Sequence, residues 1–417
     1  MIILKTTQER LLSALQGVAG IVERRHTLPI LAHVLIRKIG EGVEFTSSDL
    51  EMQVRSTADL GGKAADFATT VAARKLTDIL QAMPADQGVT LSAQPNRLVL
   101  QGGRSRFTLQ TLSAADFPLV LPSADLGPPF AVPQAVLRDL LAQVEFAMAA
   151  QDIRYFLNGV LFIAEGKLLR MVATDGNRLA LAEASLAVAV PSQQVILPRK
   201  AVHELQRQLR EAGASTEQGM DPGRSDGAGG AGTERGSGVG GEEGGEASGP
   251  GLLPMKAQAQ ALAQVQIQFS PAQARFQINA TEFVTKLIEG RFPDFERVIP
   301  KGHPHAVSVA RLPLLAALQR AAILTSEKFK GIRLKLEPGA LHIAARNAES
   351  EESDEDLEVD YSGPSLEIGL NVNYLLDMLG STDAEQVDLS LRDAGSSVLF
   401  TLKDRPGFRY VVSPMRL

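Results

Sequence analysis

Apolar residues recur at i, i+3 or i+4, and i+7 in three segments, 11–18, 137–144 and 314–321, and each predicts an amphipathic helix with one buried face. A second helical pattern follows each of them after about 60 residues, at 73–80, 198–205 and 372–379. Between and after the helices lie alternating or β-rich stretches, 106–112, 159–163 and 387–391, with Asn158-Gly159 and Asp175-Gly176 as hairpin signals. The first ten residues read as a strand running into a helix. This repeat predicts an α+β protein of three similar domains, each with two helices packed on antiparallel sheets, and roughly 110 to 125 ordered residues per domain. The breaks are expected near 126–129 and 302–304, giving domains 1–127, 128–304 and 305–417. Three like units in tandem favour a ring or an arc over a single cleft.

One stretch interrupts the second unit. Residues 214–251 are dominated by Gly, Ser, Ala and Glu and offer almost nothing to bury, so a disordered Gly-rich insertion is expected there. Its glycines do not form a phosphate loop, because no Gly-Lys-Ser/Thr follows and no strand and helix flank them.

Composition narrows the function classes. There is no cysteine, which excludes disulfides, thiolate nucleophiles and thiolate metal sites. Without a signal-peptide pattern or an apolar run long enough to span a bilayer, a soluble cytoplasmic protein is expected, with no membrane partner. The six histidines show no zinc-protease spacing, and no Gly-x-Ser-x-Gly elbow is present. No catalytic residue, metal site or cofactor is therefore expected, and the chain reads as a non-enzyme.

The net charge of −6 argues against gripping nucleic acid by bulk electrostatics. Basic pairs nevertheless recur on equivalent elements: Arg24-Arg25 after the first helix, and Arg74-Lys75 and Arg199-Lys200 at the second helices of the first two domains. Repetition would gather them on one side of an arc, and that side could face DNA. The acidic run 349–356 lacks the Gly turn and ligand spacing of a calcium loop. It lies in the third domain, whereas Lys75, Arg104 and Arg106 lie in the first. Opposite charges at the two ends permit head-to-tail association, which closes into a ring if the rotation is right.

Several segments together resemble the bacterial DNA polymerase III beta subunits, the sliding clamps, over nearly the whole chain outside the insertion. They are TLPIL at 27–31, SDLEM at 48–52, GRSRF at 103–107, AADFP at 114–118, QDIRYFLNG at 151–159 and ATDGNRL at 173–179. GRFPD at 290–294, RAAIL at 320–324, EKF at 327–329 and the terminal YVVSPMRL follow in the same order. The resemblance implies a head-to-tail homodimeric ring with the DNA clamp fold, which encircles duplex DNA without reading its sequence. It implies DNA contacts at Arg25, Arg74, Gln151, Tyr155, Phe156, Arg199 and Lys200.

It also implies a groove between the second and third domains that takes short linear motifs of the DNA polymerase III alpha subunit, the clamp loader and other polymerases or repair proteins. Its residues would be Leu157, Thr174, Gly176, Asn177, Arg178, Leu179, Pro293, Arg297, Val298, Asn371, Tyr374, Val411, Val412, Ser413, Pro414, Met415, Arg416 and Leu417. Asn177 and Ser413 stand where the best-known member has His and Met, and Gly395 where it has Val, which makes the groove smaller or more polar in places. From resemblance and charge complementarity together, the dimer contact is expected at Phe107, Leu109, Ile323 and Leu324, rimmed by Lys75, Arg104, Arg106, Glu349, Glu351, Glu352 and Glu355. Two other classes stay open: a three-domain enzyme with an interdomain active site, and an interaction scaffold that never binds DNA.

Overall fold

Twice in each domain a strand runs directly into a helix, and this unit underlies the repeat seen in the sequence. The computed structural model describes residues 1–23, 27–40, 42–61, 66–218, 263–326 and 330–416, with backbone alone at 214–218. In the first domain β1 (Ile2–Thr7) enters α1 (Gln8–Ala19), and β5 (Phe67–Ala72) enters α2 (Ala73–Gln81). In the second, β9 (Phe130–Pro133) enters α3 (Gln134–Ala142), and β11 (Arg178–Pro198) enters α4 (Arg199–Gln218). In the third, β15 (His305–Ala310) enters α5 (Arg311–Ile323), and β19 (Leu366–Asn371) enters α6 (Val372–Gly380).

Helical spacing decides what each helix buries. Leu11, Leu15 and Val18 of α1 are fully enclosed, as are Leu76 and Leu80 of α2. Each such side chain contributes about 1.5–3 kcal/mol relative to exposure. The paired helices are also joined by one polar device used three times. The first residue of the first helix donates its side chain to a carbonyl of the second: Gln8 to Leu80 at 2.6 Å, Gln134 to Leu209 at 2.8 Å and Arg311 to Leu379 at 2.9 Å. Leu80 and Leu379 lie in the last turns of their helices, whereas α4 continues well past Leu209.

The strands run across the domain borders. The first domain adds β2 (His33–Ile39), β3 (Gly42–Ser48), β4 (Met52–Asp59), β6 (Gly88–Gln94), β7 (Arg97–Gly102) and β8 (Ser105–Leu112). The second adds β10 (Gly159–Thr174), β12 (Gln264–Phe269), β13 (Gln273–Ile278) and β14 (Thr281–Lys286). The third adds β16 (Gly331–Glu337), β17 (Ala340–Arg346), β18 (Glu352–Glu358), β20 (Gln386–Leu391), β21 (Val398–Leu402) and β22 (Arg405–Val412). A 12-stranded sheet, β1-β6-β7-β8-β5-β2-β3-β4-β14-β13-β12-β9, joins the first two domains through β4 and β14. A six-stranded sheet, β10-β11-β22-β21-β20-β15, joins the second and third through β11 and β22, and β18-β17-β16-β19 complete the third.

Two expectations need correction and one holds. Asn158-Gly159 is not a hairpin turn: it is the entry to β10, where a Cβ on Gly159 would lie 2.2 Å from the Leu197 carbonyl oxygen, so close strand approach requires the glycine. Asp175-Gly176 does close a hairpin, between β10 and β11, with Gly176 at φ +91. The helix expected at 198–205 runs on to Gln218, five residues into the stretch expected to be disordered, where Ala214, Ala212 and Glu211 favour helix. The rest of that insertion lies outside the described residues.

Candidate nucleic-acid interface and partner groove

Two of the expected DNA-contacting pairs sit in the same structural place. Arg74 is in the first turn of α2, two-thirds exposed, with Asp78 at 3.6 Å, and Lys75 beside it is exposed. Arg199 and Lys200 open α4. Cations at a helix N-terminus oppose the helix dipole, at a cost of about 0.3–1 kcal/mol each. Arg199 is held against the segment between α3 and β10, donating to the Met148 and Ala149 carbonyls at 2.9 and 3.2 Å. Lys200 reaches Glu23 of the first domain at 2.5 Å, and that contact raises its pKa. Arg25 lies outside the described residues.

Gln151, Tyr155 and Phe156 share one tightly tied loop. Gln151 has φ +58, a left-handed conformation that costs a non-glycine residue about 1–2 kcal/mol. Around it the Asp152 amide donates to the Asn158 side chain at 2.9 Å, and Asn158 donates back to the Asp152 carbonyl at 2.9 Å. The Arg154 side chain and amide bind the Asp152 carboxylate at 2.8–3.0 Å and hold its pKa down to about 2. The exposed Tyr155 ring meets Phe156 edge to face at 5.9 Å, and Ile153 projects 95% exposed.

The expected groove set divides into a core, a hub and a rim. Leu157, Leu179 and Val411 form one buried cluster with Leu161, Val172, Leu181, Ile196, Phe292 and Phe295, and Val412 belongs to the main core. In the isolated chain these residues are therefore largely enclosed. The reason is that β10 and β11 are covered on both faces, by α3 and α4 on one and by the segment carrying Ile288, Phe292, Phe295 and Ile299 on the other. Near-continuous apolar runs in both strands are the sequence signal for such double burial.

Arg178 is the hub. Its side chain is 10% exposed and donates to Asp175 at 3.0 Å, to Asp377 of α6 at 2.6 Å and to the Phe146 carbonyl at 2.7 Å. Its guanidinium lies 5.7 Å from the Phe146 ring and 4.5 Å from the Tyr374 ring. The Tyr410 hydroxyl donates to the Tyr374 carbonyl at 2.9 Å, and burial pushes that phenol far above its usual pKa, keeping it a neutral donor. Thr174 donates to the Arg178 carbonyl at 2.6 Å and accepts from the Gly176 amide at 3.1 Å. Ser413 donates its amide to the Asn177 carbonyl at 2.9 Å, and Asn371 caps α6. A cavity of about 530 Å³ is shared by Asn177, Arg178 and Arg199, so the groove set and the DNA set adjoin.

The rim is open. Val298 is about half exposed, Pro293 is exposed, and Arg297 is exposed with Asp294 at 2.7 Å. Pro414 follows the end of β22, as a residue without an amide proton requires, and Met415 then donates to the Gly369 carbonyl at 2.9 Å. Met415 and Arg416 line a different cavity, with Arg333, Ala344, Arg346 and Glu352 on β16 to β18, and Leu417 lies outside the described residues. Phe146, Asp377 and Tyr410 escaped sequence reasoning, since no local pattern brings three distant positions onto one arginine.

Among the strand edges that lack a full described partner, those of β18 and β8 belong to the third and first domains. β18 has β17 on one side and no described strand on the other, while β8 meets β5 only at Thr111 and Leu112. On β8, Arg106 points to solvent and Phe107 and Leu109 lean on the core; Arg104 is exposed in the preceding turn. On the acidic side Glu349, Glu351 and Glu352 are exposed, but Glu355 alternates inward and is bound twice by Arg320 at 2.6 and 2.5 Å. Ile323 is 76% exposed, and Leu324 is half-buried beside it. No group of three metal-ligating side chains occurs among the described residues.

Models of the DNA polymerase III beta subunit match three parts of the chain: the N-terminal domain at residues 2–122, the central domain at 131–217 and the C-terminal domain at 296–416. The chain belongs to the DNA polymerase III beta subunit family. It is 41% identical over 416 residues to the beta sliding clamp of Pseudomonas aeruginosa, covering 98% of both chains, and 37% identical over 410 residues to that of Escherichia coli K12, again 98% of both. The crystal structure of the DNA polymerase III subunit beta from Pseudomonas aeruginosa superposes with a TM-score of 0.83 at 38% identity over all of both chains. A Caulobacter crescentus beta sliding clamp does so at 0.82 and 32% identity, over 100% of this chain and 99% of that one. The three-domain clamp fold follows from these matches. Among the described residues, no helix of this family member is long and apolar enough to cross a membrane.

Proposed function

We propose that the chain is a sliding clamp, a processivity factor without catalysis of its own, two copies of which close head to tail around duplex DNA. The observation that carries this reading is the pair of free strand edges on a three-domain arc. β8 at one end presents basic side chains and β18 at the other presents acidic ones, so unlike ends attract and like ends repel. Ile323, Leu324, Phe107 and Leu109 make the apolar centre of the contact. The domain breaks are placed near 127 and 304. Arg74, Arg199 and Lys200 disfavour their helix ends, and Gln151 is strained; both costs mark a surface kept for DNA. A few phosphate contacts without base readout let the ring slide.

The rim of Val298, Pro293, Asn177 and Tyr374 above the Arg178 hub takes short linear motifs of the DNA polymerase III alpha subunit, the clamp loader and other polymerases or repair proteins. Protein loaded on nicked circular DNA is expected to stay bound in high salt and to leave when the circle is cut, because the link is topological. Loss from the intact circle with rising salt would refute the ring. The net charge of −6 suits equally a scaffold that never meets DNA, and that reading predicts no retention on either circle.

A further inference from the structure

We infer that Glu282 and Glu183 are positioning residues that set the two joints within the chain. Each joint is a pair of neighbouring strands, one from each domain, β4 with β14 and β11 with β22. Backbone bonds fix the register of such a pair but leave its twist soft. Each joint carries the same side-chain arrangement, a second-domain glutamate between two arginines. One oxygen of Glu282 binds Arg55 of the first domain at 2.5 Å, and the other binds Arg275 of its own domain at 2.5 Å. One oxygen of Glu183 binds Arg409 of the third domain at 3.3 Å, and the other binds Arg170 of its own domain at 3.0 Å.

The Glu282 side chain is 5% exposed and that of Glu183 is 22%, and the arginines cover both. An isolated exposed pair would not hold a joint. Two opposed donors on one shielded carboxylate do, because rotating either domain stretches one bond without relieving the other. A carboxylate is required. A glutamine offers one acceptor oxygen to two donors and turns its own NH2 toward the second arginine. Arg55 also has Glu44 at 3.7 Å and Arg170 has Glu296 at 3.3 Å, so neither arginine is left bare by the amide.

The chain has no cysteine, so joint angles can be read by double electron–electron resonance between introduced thiols. Asp86→Cys with Lys167→Cys spans the first joint, and Lys167→Cys with Glu385→Cys spans the second; all three positions are exposed. Labelled chain is diluted into unlabelled chain. Glu282→Gln is expected to replace a narrow distance by a broad one in the first pair alone, and Glu183→Gln in the second pair alone. Arg55→Ala and Arg409→Ala, which keep the pairs inside the second domain, are expected to reproduce the same joint-specific broadening with less strain on folding.

Unchanged distances in all four variants, or broadening of both pairs by each variant, would overturn the inference. A second arm rests on the clamp reading: lifetime on nicked circular DNA should shorten about five-fold in each variant, the factor that about 1 kcal/mol represents. Broadened distances with an unchanged lifetime would overturn the link to ring retention and leave the joints assigned. Absence of retention in the unaltered protein would fail the clamp reading instead.

Discussion

Replacing Arg178 by alanine removes a side chain that ties the β10–β11 hairpin to α6. The change leaves Asp175 without a guanidinium in a site where its side chain is 17% exposed, whereas Asp377, at 44%, regains water. Breaking a buried pair from one side costs about 3–5 kcal/mol, and the exposed half of this pair lowers that toward about 2. Two lost cation–π contacts, on Phe146 and Tyr374, add about 0.5 kcal/mol each, the low end of the range for such contacts. The sum of about 3 kcal/mol moves the melting of a 150–250-residue unit by roughly 6–12 °C. Calorimetry should show that shift in the transition of the second and third domains, with the first domain unmoved. Hydrogen exchange should speed up at 174–178, and a polymerase tail peptide should lose affinity although Arg178 is too enclosed to be its main contact. Arg178→Lys keeps the charge without the fork and should fall between the two. A melting point unchanged within 1 °C, on the same scale, would refute the hub.

Ile323→Ala with Leu324→Ala should give monomers in sedimentation, while Arg104→Ala leaves mostly dimer, because exposed rim charges contribute about 0–1 kcal/mol each; dimers surviving the double change would sink the assignment. Removing 414–417 should abolish binding of polymerase and loader peptides while dimerisation and melting stay nearly unchanged, and an unaltered peptide affinity would show that the tail plays no part. The depressed Asp152 carboxyl binds Arg154 more firmly folded than unfolded, so that contribution is complete above the ordinary carboxylate pKa of about 4 and fades only as pH falls through about 2. The loop holding Gln151 should therefore be unchanged from about pH 5 to 9, and an Asp152 carbon-13 titration with a midpoint near 4 would contradict the contact.

Helix existence and repeat were legible along the chain because the buried face of a helix is a local, 3.6-residue property. Leu11, Leu15 and Val18, or Leu375, Met378 and Leu379, enter the core wherever their helix is docked. The expected places of Arg74, Arg199 and Lys200 in the first turns of second helices were equally local. What lay beyond the sequence was where strands from different domains meet. The double burial of β10 and β11 encloses Leu157, Leu179 and Val411, and alternation on β18 sends Glu355 to Arg320. The meeting of Phe146, Asp377, Tyr374 and Tyr410 around Arg178, and of two arginines around Glu282 or Glu183, joins positions as distant along the chain as Phe146 and Tyr410, whose rings meet. Such contacts leave no periodicity, because their geometry is set by sheet register across a domain border and by nothing in the neighbouring sequence.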